Sequence, residues 1–360
     1  MAEAQDNQAP TSPGAPAFVG VSPHLLDAGF TTRRMMIDVL IGLVPLAVAA
    51  GLIFGPVALV RQVVICCAFG LATEAIFAAA RRKPFSLTDG SALVTCVILA
   101  FSIPPALPWY AGAIGAIVAI GLGKMVFGGL GFNIFNPAMV GRAFLMAAFP
   151  ALMASSAFTY AAPDRQGPQR LDAISQASPL SFAKLYEPGE GADTARKNRL
   201  HAELTGGRLV LGDLFLGTVR GSLGETSALA ALVGGLWLLL RGTASWRIPV
   251  GVLGVLLACT AIGHAISPET VMHPLSHLFG GAVMFGAFFI ATDPVSSPLT
   301  KTGRWVFGGL IGGLVFLIRQ FSVYPEGVMY AVLLANAAMP LINRATVPTP
   351  LGGDVAKMKK

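Results

Sequence analysis

The sequence predicts an all-α protein that crosses a membrane many times, and its composition and the grouping of its apolar residues indicate this. Of 360 residues, 54% are hydrophobic and only 12% are charged, whereas soluble domains carry about 25% charged residues. The apolar residues form runs that approach the length of about 20 residues with which a helix crosses the hydrocarbon core of a bilayer. The shortage of charged residues excludes an ordinary soluble enzyme.

Ten apolar runs are predicted as membrane-spanning helices, because only helices and closed barrels satisfy their backbone hydrogen bonds in lipid. The third and ninth runs are short, and glycine or proline interrupts many others, so we expect some helices to be broken, tilted or re-entrant. The predicted spans lie near 35–55, 57–80, 88–103, 109–126, 134–155, 226–241, 247–266, 275–292, 305–320 and 326–343.

The spans divide the chain into two membrane halves with five helices each. A flexible tail at 1–30 precedes the first half at 31–155, a long polar segment at 156–225 follows it, and the second half at 226–344 ends in a basic tail at 345–360. Because each half contains an odd number of helices, a structural repeat between the halves would be inverted, as is common in transporters. The first 20 residues lack the basic start of a signal peptide, so we expect no cleavage.

Basic residues set the expected orientation through the positive-inside rule. Most of them, including the clusters at 33–34 and 81–83 and also Lys124, lie on the side of the N-terminus, while the short opposite ends hold only Arg61 and Arg319. Both termini are therefore predicted to be cytoplasmic, with 156–225 on the outer face. The +7 net charge does not indicate nucleic-acid binding, since the basic residues form short clusters at an anionic membrane surface.

Ionisable residues within apolar runs are costly in a bilayer and are candidates for an ion path. Asp38, Glu74 and Asp89 are our candidates for a site that moves Na⁺ or H⁺, and Arg142 is expected either to pair with a carboxylate or to line the path. The four cysteines lie in apolar runs without metal-ligand spacing, so neither a metal site nor a disulfide is predicted. No residue is predicted to be catalytic.

A glycine-rich stretch at 127–144 carries polar residues at the start of the fifth span. Its Asn133 and Asn136, followed by Pro137, have a faint echo in Asn336 and Pro340 of the tenth span. Glycine allows close backbone approach, and an asparagine amide can cap a helix or bond a ligand. Helix packing and ligand binding both remain open for this stretch.

Several long motifs, in one order over nearly the whole chain, carry a family resemblance. They are SPHLLD at 22–27, TDGSALVT at 88–95, FGGLGFNIFNPAMVGRAFL at 127–145, GETSALAALVGG at 224–235, FFIATDPVSSP at 288–298 and YPEGVMYAVLLANAAMPLI at 324–342. In these motifs the sequence resembles the family of the D subunits of Rnf complexes and, more distantly, the B subunits of sodium-translocating NADH:quinone oxidoreductases.

The resemblance implies a covalently bound FMN in the segment LDAISQASPL at 171–180. The attachment motif of the family falls on Asp172, Ser175 and Ala177, with Ser178 as the hydroxyl that forms a phosphoester with FMN. The sequence departs from that motif twice, because Ser178 replaces threonine and Gln176 replaces glycine. A flavin transferase would attach the FMN on the outer face, where the distribution of basic residues independently places this segment.

The resemblance also implies a function, which is that of a subunit of an ion-translocating ferredoxin:NAD oxidoreductase complex in the bacterial inner membrane. Its partners would be the other membrane and peripheral subunits, so catalysis by this chain alone is not expected. A second, non-covalent flavin or a quinone pocket near 127–144 is possible by analogy, and the fold would be similar to that of ammonium and urea channels. A non-redox solute channel or transporter and a passive scaffold subunit are the alternatives.

Overall fold

The computed structural model describes residues 31–82, 86–153, 211–217, 221–225, 227–268, 271–322 and 327–348, and the regular structure in these ranges is helical throughout. The first membrane half forms α1 (Thr32–Phe54), α2 (Pro56–Ala80), α3 (Ser91–Phe101), α4 (Trp109–Ile120), α5 (Pro137–Ala148) and α6 (Pro150–Met153). The later part of the chain forms α7 (Leu211–Leu216), α8 (Ala228–Leu240), α9 (Arg247–Ile266), α10 (Pro274–Phe279), α11 (Val283–Phe285), α12 (Lys301–Phe321) and α13 (Val328–Thr346). Two π-helical segments, Gly121–Met125 and Gly286–Ile290, extend α4 and α11.

Five of these helices, namely α1, α2, α9, α12 and α13, are long and apolar enough to cross a membrane. The helices α3, α5 and α8, and α4 with its π-helical extension, are apolar but shorter. Together they confirm the prediction of an all-α protein that spans the membrane several times.

Several predicted spans differ from the helices in the structure, and the fifth is divided into α5 and α6. The ninth was expected to be short, but α12 has 21 residues, because the Thr300 hydroxyl caps its start by accepting a hydrogen bond from the backbone N–H of Gly303 at 2.9 Å. The eighth is broken between α10 and α11 by Gly280 and Gly281, and only Gly281 has a positive φ, of 66°. The tenth is not interrupted, since α13 runs through Pro340.

α1 and α2 form an antiparallel hairpin joined by a single residue. Gly55 has a φ of 89°, a conformation that residues with a Cβ rarely adopt. Pro56 follows at the first position of α2, where its missing N–H costs no helical hydrogen bond. The start of α1 and the end of α2 therefore lie at the same side of the molecule.

Glycines bring the helices into close contact at the main crossings. A Cβ on Gly234 of α8 would overlap the carbonyl oxygen of Gly42 on α1. A Cβ on Gly141 of α5 would lie 2.6 Å from the carbonyl oxygen of Gly115 on α4. Small residues allow such backbone approach in membrane proteins, where packing rather than exclusion of water drives helix association.

The chain between α3 and α4 is irregular but mostly buried, and side chains of α2 bond its carbonyl groups. Arg61 donates to Pro105 O at 2.6 Å, and Gln62 donates to Leu107 O at 2.7 Å. In the later part of the chain, Arg319 similarly donates to His277 O at 2.5 Å and to Gly280 O at 2.8 Å. Arg61 and Arg319, the two arginines predicted at the outer ends, thus each donate hydrogen bonds to the carbonyl groups of an irregular or broken segment.

Candidate functional site

A cavity opens between helices from the two parts of the chain. Its enclosed volume is about 70 Å³, which is smaller than is usual for a small-molecule site. α1, α3 and the π-helical extension of α4 line one part of it, and the end of α8 and residues 289–295 line another. Apolar side chains predominate. The polar side chains in the lining are those of Ser91, Lys124, Asn133, Asn136, Asp293 and three threonines, Thr95, Thr243 and Thr292.

Asn136 joins the two parts of the chain at the edge of this cavity. Its backbone N–H donates to Oδ1 of Asn336, 200 residues away, at 3.1 Å. Its side-chain amide donates to Oδ2 of Asp293 at 3.4 Å, and its Oδ1 caps α5 by accepting from the backbone N–H of Met139 at 3.3 Å. The Asn336 amide donates in turn to Ser296 O at 3.0 Å. Asn136 and Asn336, which occur in similar sequence contexts in the fifth and tenth spans, therefore contact each other directly.

Asn133 is the polar residue of the cavity with unused bonding capacity. It is 5% exposed, and its Nδ2 donates to Phe135 O at 3.2 Å. Among the described residues its Oδ1 has no hydrogen-bond partner. A buried acceptor without a partner is unfavourable, so the cavity offers a ligand with an N–H or O–H group a bond that the protein leaves unmade.

An aspartate turn occurs twice around the cavity. Oδ1 of Asp89 accepts hydrogen bonds from the backbone N–H and the hydroxyl of Ser91 at 2.7 and 2.6 Å. Asp293 accepts from the backbone N–H of Val295 at 3.1 Å and from the hydroxyl of Ser296 at 2.9 Å. In both cases a Thr-Asp pair precedes the serine, and the carboxylate is fixed by the short-range bonds that aspartate forms in turns.

A buried ion pair lies beside the first of these turns. Nζ of Lys124 lies 2.8 Å from Oε1 of Glu74 and donates to the hydroxyl of Ser91 at 2.7 Å. The side chains of Lys124 and Glu74 are 2% and 0% exposed. Since Ser91 is bonded to Asp89, the ammonium group connects two carboxylates, Glu74 directly and Asp89 through one hydroxyl.

The two π-helical segments face the cavity. The first carries Lys124 and the second carries Phe289, and both side chains contribute to its lining. π-helical turns are rare and occur frequently at functional sites. A wider turn moves Lys124 out of the α-helical register, and this is the segment that directs its ammonium group to Glu74.

A second buried ion pair ties the end of the long polar segment to the helices. Arg142 of α5 pairs with Glu225, and the exposed fractions of the two side chains are 8% and 0%. The backbone N–H of Gly224 donates to the carbonyl of Phe101, the last residue of α3, at 2.7 Å. The residues that lead from 156–225 into α8 are thus held inside the protein.

The structure brings two of the predicted ion-path residues together and leaves the third apart. Glu74 and Asp89 meet around Lys124. Asp38 belongs to another cluster, in which its carboxylate accepts from Arg241 at 3.1 Å and from Thr243 at 3.0 Å. The predicted flavin-attachment residues Asp172, Ser175, Ala177 and Ser178 lie outside the described residues.

Two members of these buried ion pairs did not follow from the sequence. Lys124 was expected near the end of a span on the cytoplasmic side, and the structure shows that it is 1% exposed and bonded to Glu74. Glu225 was not selected, although it is a carboxylate at the edge of an apolar run. In each case the sequence contained one indication of the pair, namely a residue of opposite charge in a distant span. Glu74 is that residue for Lys124, and Arg142 is that residue for Glu225.

Known proteins are similar to this sequence over nearly the whole chain. The model of the NQR2, RnfD, RnfE family matches residues 18–352. The chain belongs to this family. The D subunit of the Na⁺-translocating ferredoxin:NAD⁺ oxidoreductase complex of Acetobacterium woodii is 39% identical over 345 residues, which cover 95% of this chain and 96% of the relative.

Two further relatives carry a more general name. The D subunit of the ion-translocating oxidoreductase complex of Cronobacter sakazakii is 40% identical, over 93% of this chain and 98% of the relative. The protein of the same name from Aeromonas salmonicida is 38% identical, over 89% of this chain and 95% of the relative. The buried pairs and the cavity described above therefore belong to a member of the NQR2, RnfD, RnfE family.

Proposed function

We propose that this chain is the membrane-embedded D subunit of an ion-translocating electron-transfer complex of the Rnf type, in the bacterial inner membrane. The observation that carries this proposal is full-length similarity to proteins named as the D subunits of such complexes. As one component of a complex, it would act with other membrane and peripheral subunits. A polar network between helices, with Glu74, Lys124 and Asp89 at its centre, is the feature that ion translocation requires.

We propose that FMN is attached to Ser178 through a phosphoester, with Asp172, Ser175 and Ala177 as the surrounding motif. The sequence supports this, because serine supplies the hydroxyl that the bond requires. An FMN bound there would accept and donate electrons, and the chain would fix its position and limit its contact with water.

The attachment is tested by two variants that remove neighbouring hydroxyl groups. Ser178→Ala should abolish flavin fluorescence of the denatured polypeptide after gel separation, and electron transfer by the assembled complex should fall severely. Ser181→Ala, the matched control outside the motif, should keep both. Fluorescence that persists in Ser178→Ala would refute the attachment site. Full electron transfer without flavin would favour a passive scaffold, and an unlabelled wild-type chain that still transports a solute would favour a channel.

We propose that the cavity holds the second, non-covalent flavin or a quinone. Its apolar lining and the carboxamides of Asn133 and Asn136 support this, because planar redox cofactors present both apolar surface and polar edges. The free acceptor of Asn133 fits a ring N–H or a hydroxyl group.

We propose that Glu74 and Asp89 form the ion site, with Lys124 and Ser91 between them. The ammonium group of Lys124 lies between the two carboxylates, bonded to Glu74 directly and to Asp89 through Ser91. Displacement of this ammonium group would expose both carboxylates to Na⁺ or H⁺. Asp38 was also a candidate, but its bonds to Arg241 and Thr243 favour a structural role.

Glu74→Gln and Asp89→Asn are expected to reduce ion uptake into vesicles during electron transfer by tenfold or more, or about 1.4 kcal/mol each. Asp38→Asn should retain most of the uptake. Uptake should be measured per electron transferred, so that loss of the complex is not mistaken for loss of coupling. Unchanged uptake in both amide variants would remove this site.

We propose that the two parts of the chain form inverted five-helix halves, related in fold to ammonium and urea channels, with both termini cytoplasmic. The packing supports this: α2 packs on α4 and α4 on α5, while α9 packs on α12 and α12 on α13. Arg33 at the start of α1 and Arg81 after α2 lie at one side of the hairpin. The flavin transferase would then act from the opposite side.

A further inference from the structure

A single buried side chain of α13 bonds both walls of the cavity. Asn336 is 1% exposed and is not itself part of the cavity lining. Its Oδ1 accepts a hydrogen bond from the backbone N–H of Asn136 at 3.1 Å, and its Nδ2 donates one to the carbonyl oxygen of Ser296 at 3.0 Å. Asn136 belongs to the first-half wall, and Ser296 directly follows the residues of the second-half wall. One carboxamide therefore connects a backbone group from each half of the chain.

Both of these backbone groups lie where helices are interrupted. Asn136 is the N-cap residue of α5, and the N–H of an N-cap residue has no partner in its own helix. Ser296 lies in the turn that follows the second π-helical segment. Within a membrane such groups need a partner from the protein, and Asn336 supplies one for each of them. Loss of this side chain would remove a hydrogen-bond partner from both walls at once.

α13 lacks one of its own hydrogen bonds at the same residue. Pro340 lies inside the helix, four residues after Asn336, and proline has no N–H to donate to the carbonyl group one turn earlier. Before this point α13 is held by packing, with Ala331 completely buried. After it, the Thr346 hydroxyl lies 2.5 Å from the Thr300 hydroxyl at the start of α12. The two parts of α13 are thus held by different contacts, and Asn336 lies where they join.

We propose that Asn336 is a positioning residue for ion translocation, because its two hydrogen bonds fix how the halves face each other across the cavity. This role rests on the proposed function of the subunit. Alternating access requires two arrangements of the halves, and a contact that is present in only one of them sets their relative populations. The bonds of Asn336 stabilise the arrangement of this structure, and α13 bends at Asn336 when they break.

The role is tested by Asn336→Leu, which keeps a similar volume and removes both hydrogen bonds. In vesicles that contain the complete complex, the number of ions taken up per electron should fall about tenfold or more, because two buried backbone groups lose a partner. Asn343→Leu is the matched control on the same helix, since the Asn343 amide bonds only Leu299 and Met339 of the second half. This control should keep the ratio of the wild type.

Hydrogen exchange tests the bond itself, independently of transport. In the purified complex the backbone N–H of Asn136 should exchange about tenfold faster in Asn336→Leu than in the wild type, because it loses its acceptor. In Asn343→Leu it should exchange at the wild-type rate. Unchanged exchange in Asn336→Leu would overturn the proposal, because the bond would then not hold this wall. Faster exchange with an unchanged ratio of ions to electrons would show that Asn336 only supports the fold, and would overturn it too.

A second variant covers the case in which Asn336→Leu does not assemble. In Asn336→Asp, a protonated carboxyl group can accept from the Asn136 N–H and donate to the Ser296 carbonyl group, as the amide does, whereas an ionised one cannot donate. The ratio of ions to electrons, relative to the wild type at the same pH, should therefore be higher in acidic than in alkaline buffer. A relative ratio that is independent of pH contradicts this role alone. A wild type that transfers electrons without moving ions contradicts the proposed function as well.

Discussion

At the scale of single residues, the pair formed by Glu74 and Lys124 is the most consequential feature. Both side chains are almost completely buried, and a charge without its partner is very unfavourable in such surroundings. The pair therefore holds α2 against the π-helical end of α4 and places two opposite charges inside the protein. That combination makes it both a structural link and a candidate for ion exchange.

Lys124→Met should lower the free energy of unfolding by about 3 to 5 kcal/mol, because it leaves Glu74 buried without its ammonium partner. Adding Glu74→Leu to that variant should restore most of the loss, since it removes the buried carboxylate that the ammonium group had balanced. Unfolding in detergent, followed by heat or denaturant, measures both changes. Lys301→Met, at an exposed lysine, is the control and should have little effect. A fully stable Lys124→Met variant would contradict this account of the pair.

The sequence predicted the carboxylates of this cluster but not their arrangement. Glu74 and Asp89 stand out because each is an acid within or next to an apolar run. Lys124 lies 50 residues from Glu74 and 33 from Ser91, and its position near the end of a span favoured a cytoplasmic loop. Only the packing of α2 on α4, together with the π-helical turn, brings these groups together.

At the scale of helices, close packing depends on positions where no side chain fits. Gly234 and Gly42 place the backbones of α8 and α1 in contact, and the Asp38 to Arg241 bond lies along the same seam. Such contacts between backbones fix the distance of two helices more strictly than larger side chains would. One methyl group added at this contact between α1 and α8 is therefore expected to lower the stability of the protein.

Gly234→Ala is expected to destabilise the protein by about 1 to 3 kcal/mol, because its Cβ would overlap the Gly42 carbonyl and overpacking has a cost of this size. Gly254→Ala is the matched control on α9, where an added Cβ meets nothing within 4 Å. That change should be neutral or slightly stabilising, since alanine favours helix more than glycine. The midpoints of thermal unfolding in one detergent compare the two, and equal midpoints would contradict the packing.

Helix type followed from the sequence more reliably than helix boundaries. The apolar runs predicted α1, α2 and α9 closely, because those helices are apolar over their whole length. The start of α12 was missed because its first turn carries Lys301 and Arg304, and a polar first turn capped by Thr300 is not recognised by hydropathy. The sequence predicted that some spans are interrupted, but it did not indicate that a break lies at Gly280 and Gly281.

At the scale of the whole molecule, the halves meet at Asn136 and Asn336 and around the cavity beside them. The family follows from the similarity over residues 18–352, and the polar groups at this meeting point agree with a membrane protein that moves ions. The described end of the long polar segment is joined to α5 by the pair of Glu225 and Arg142.

The central claim is that this membrane protein carries a flavin on its long polar segment, and the mass of one peptide tests it. Digestion of the purified complex with trypsin should release residues 171–184, which contain Ser178. The account predicts that this peptide is heavier by one FMN less one water, with fragmentation placing the addition on Ser178. An unmodified peptide from a complex that transfers electrons at full rate would contradict it.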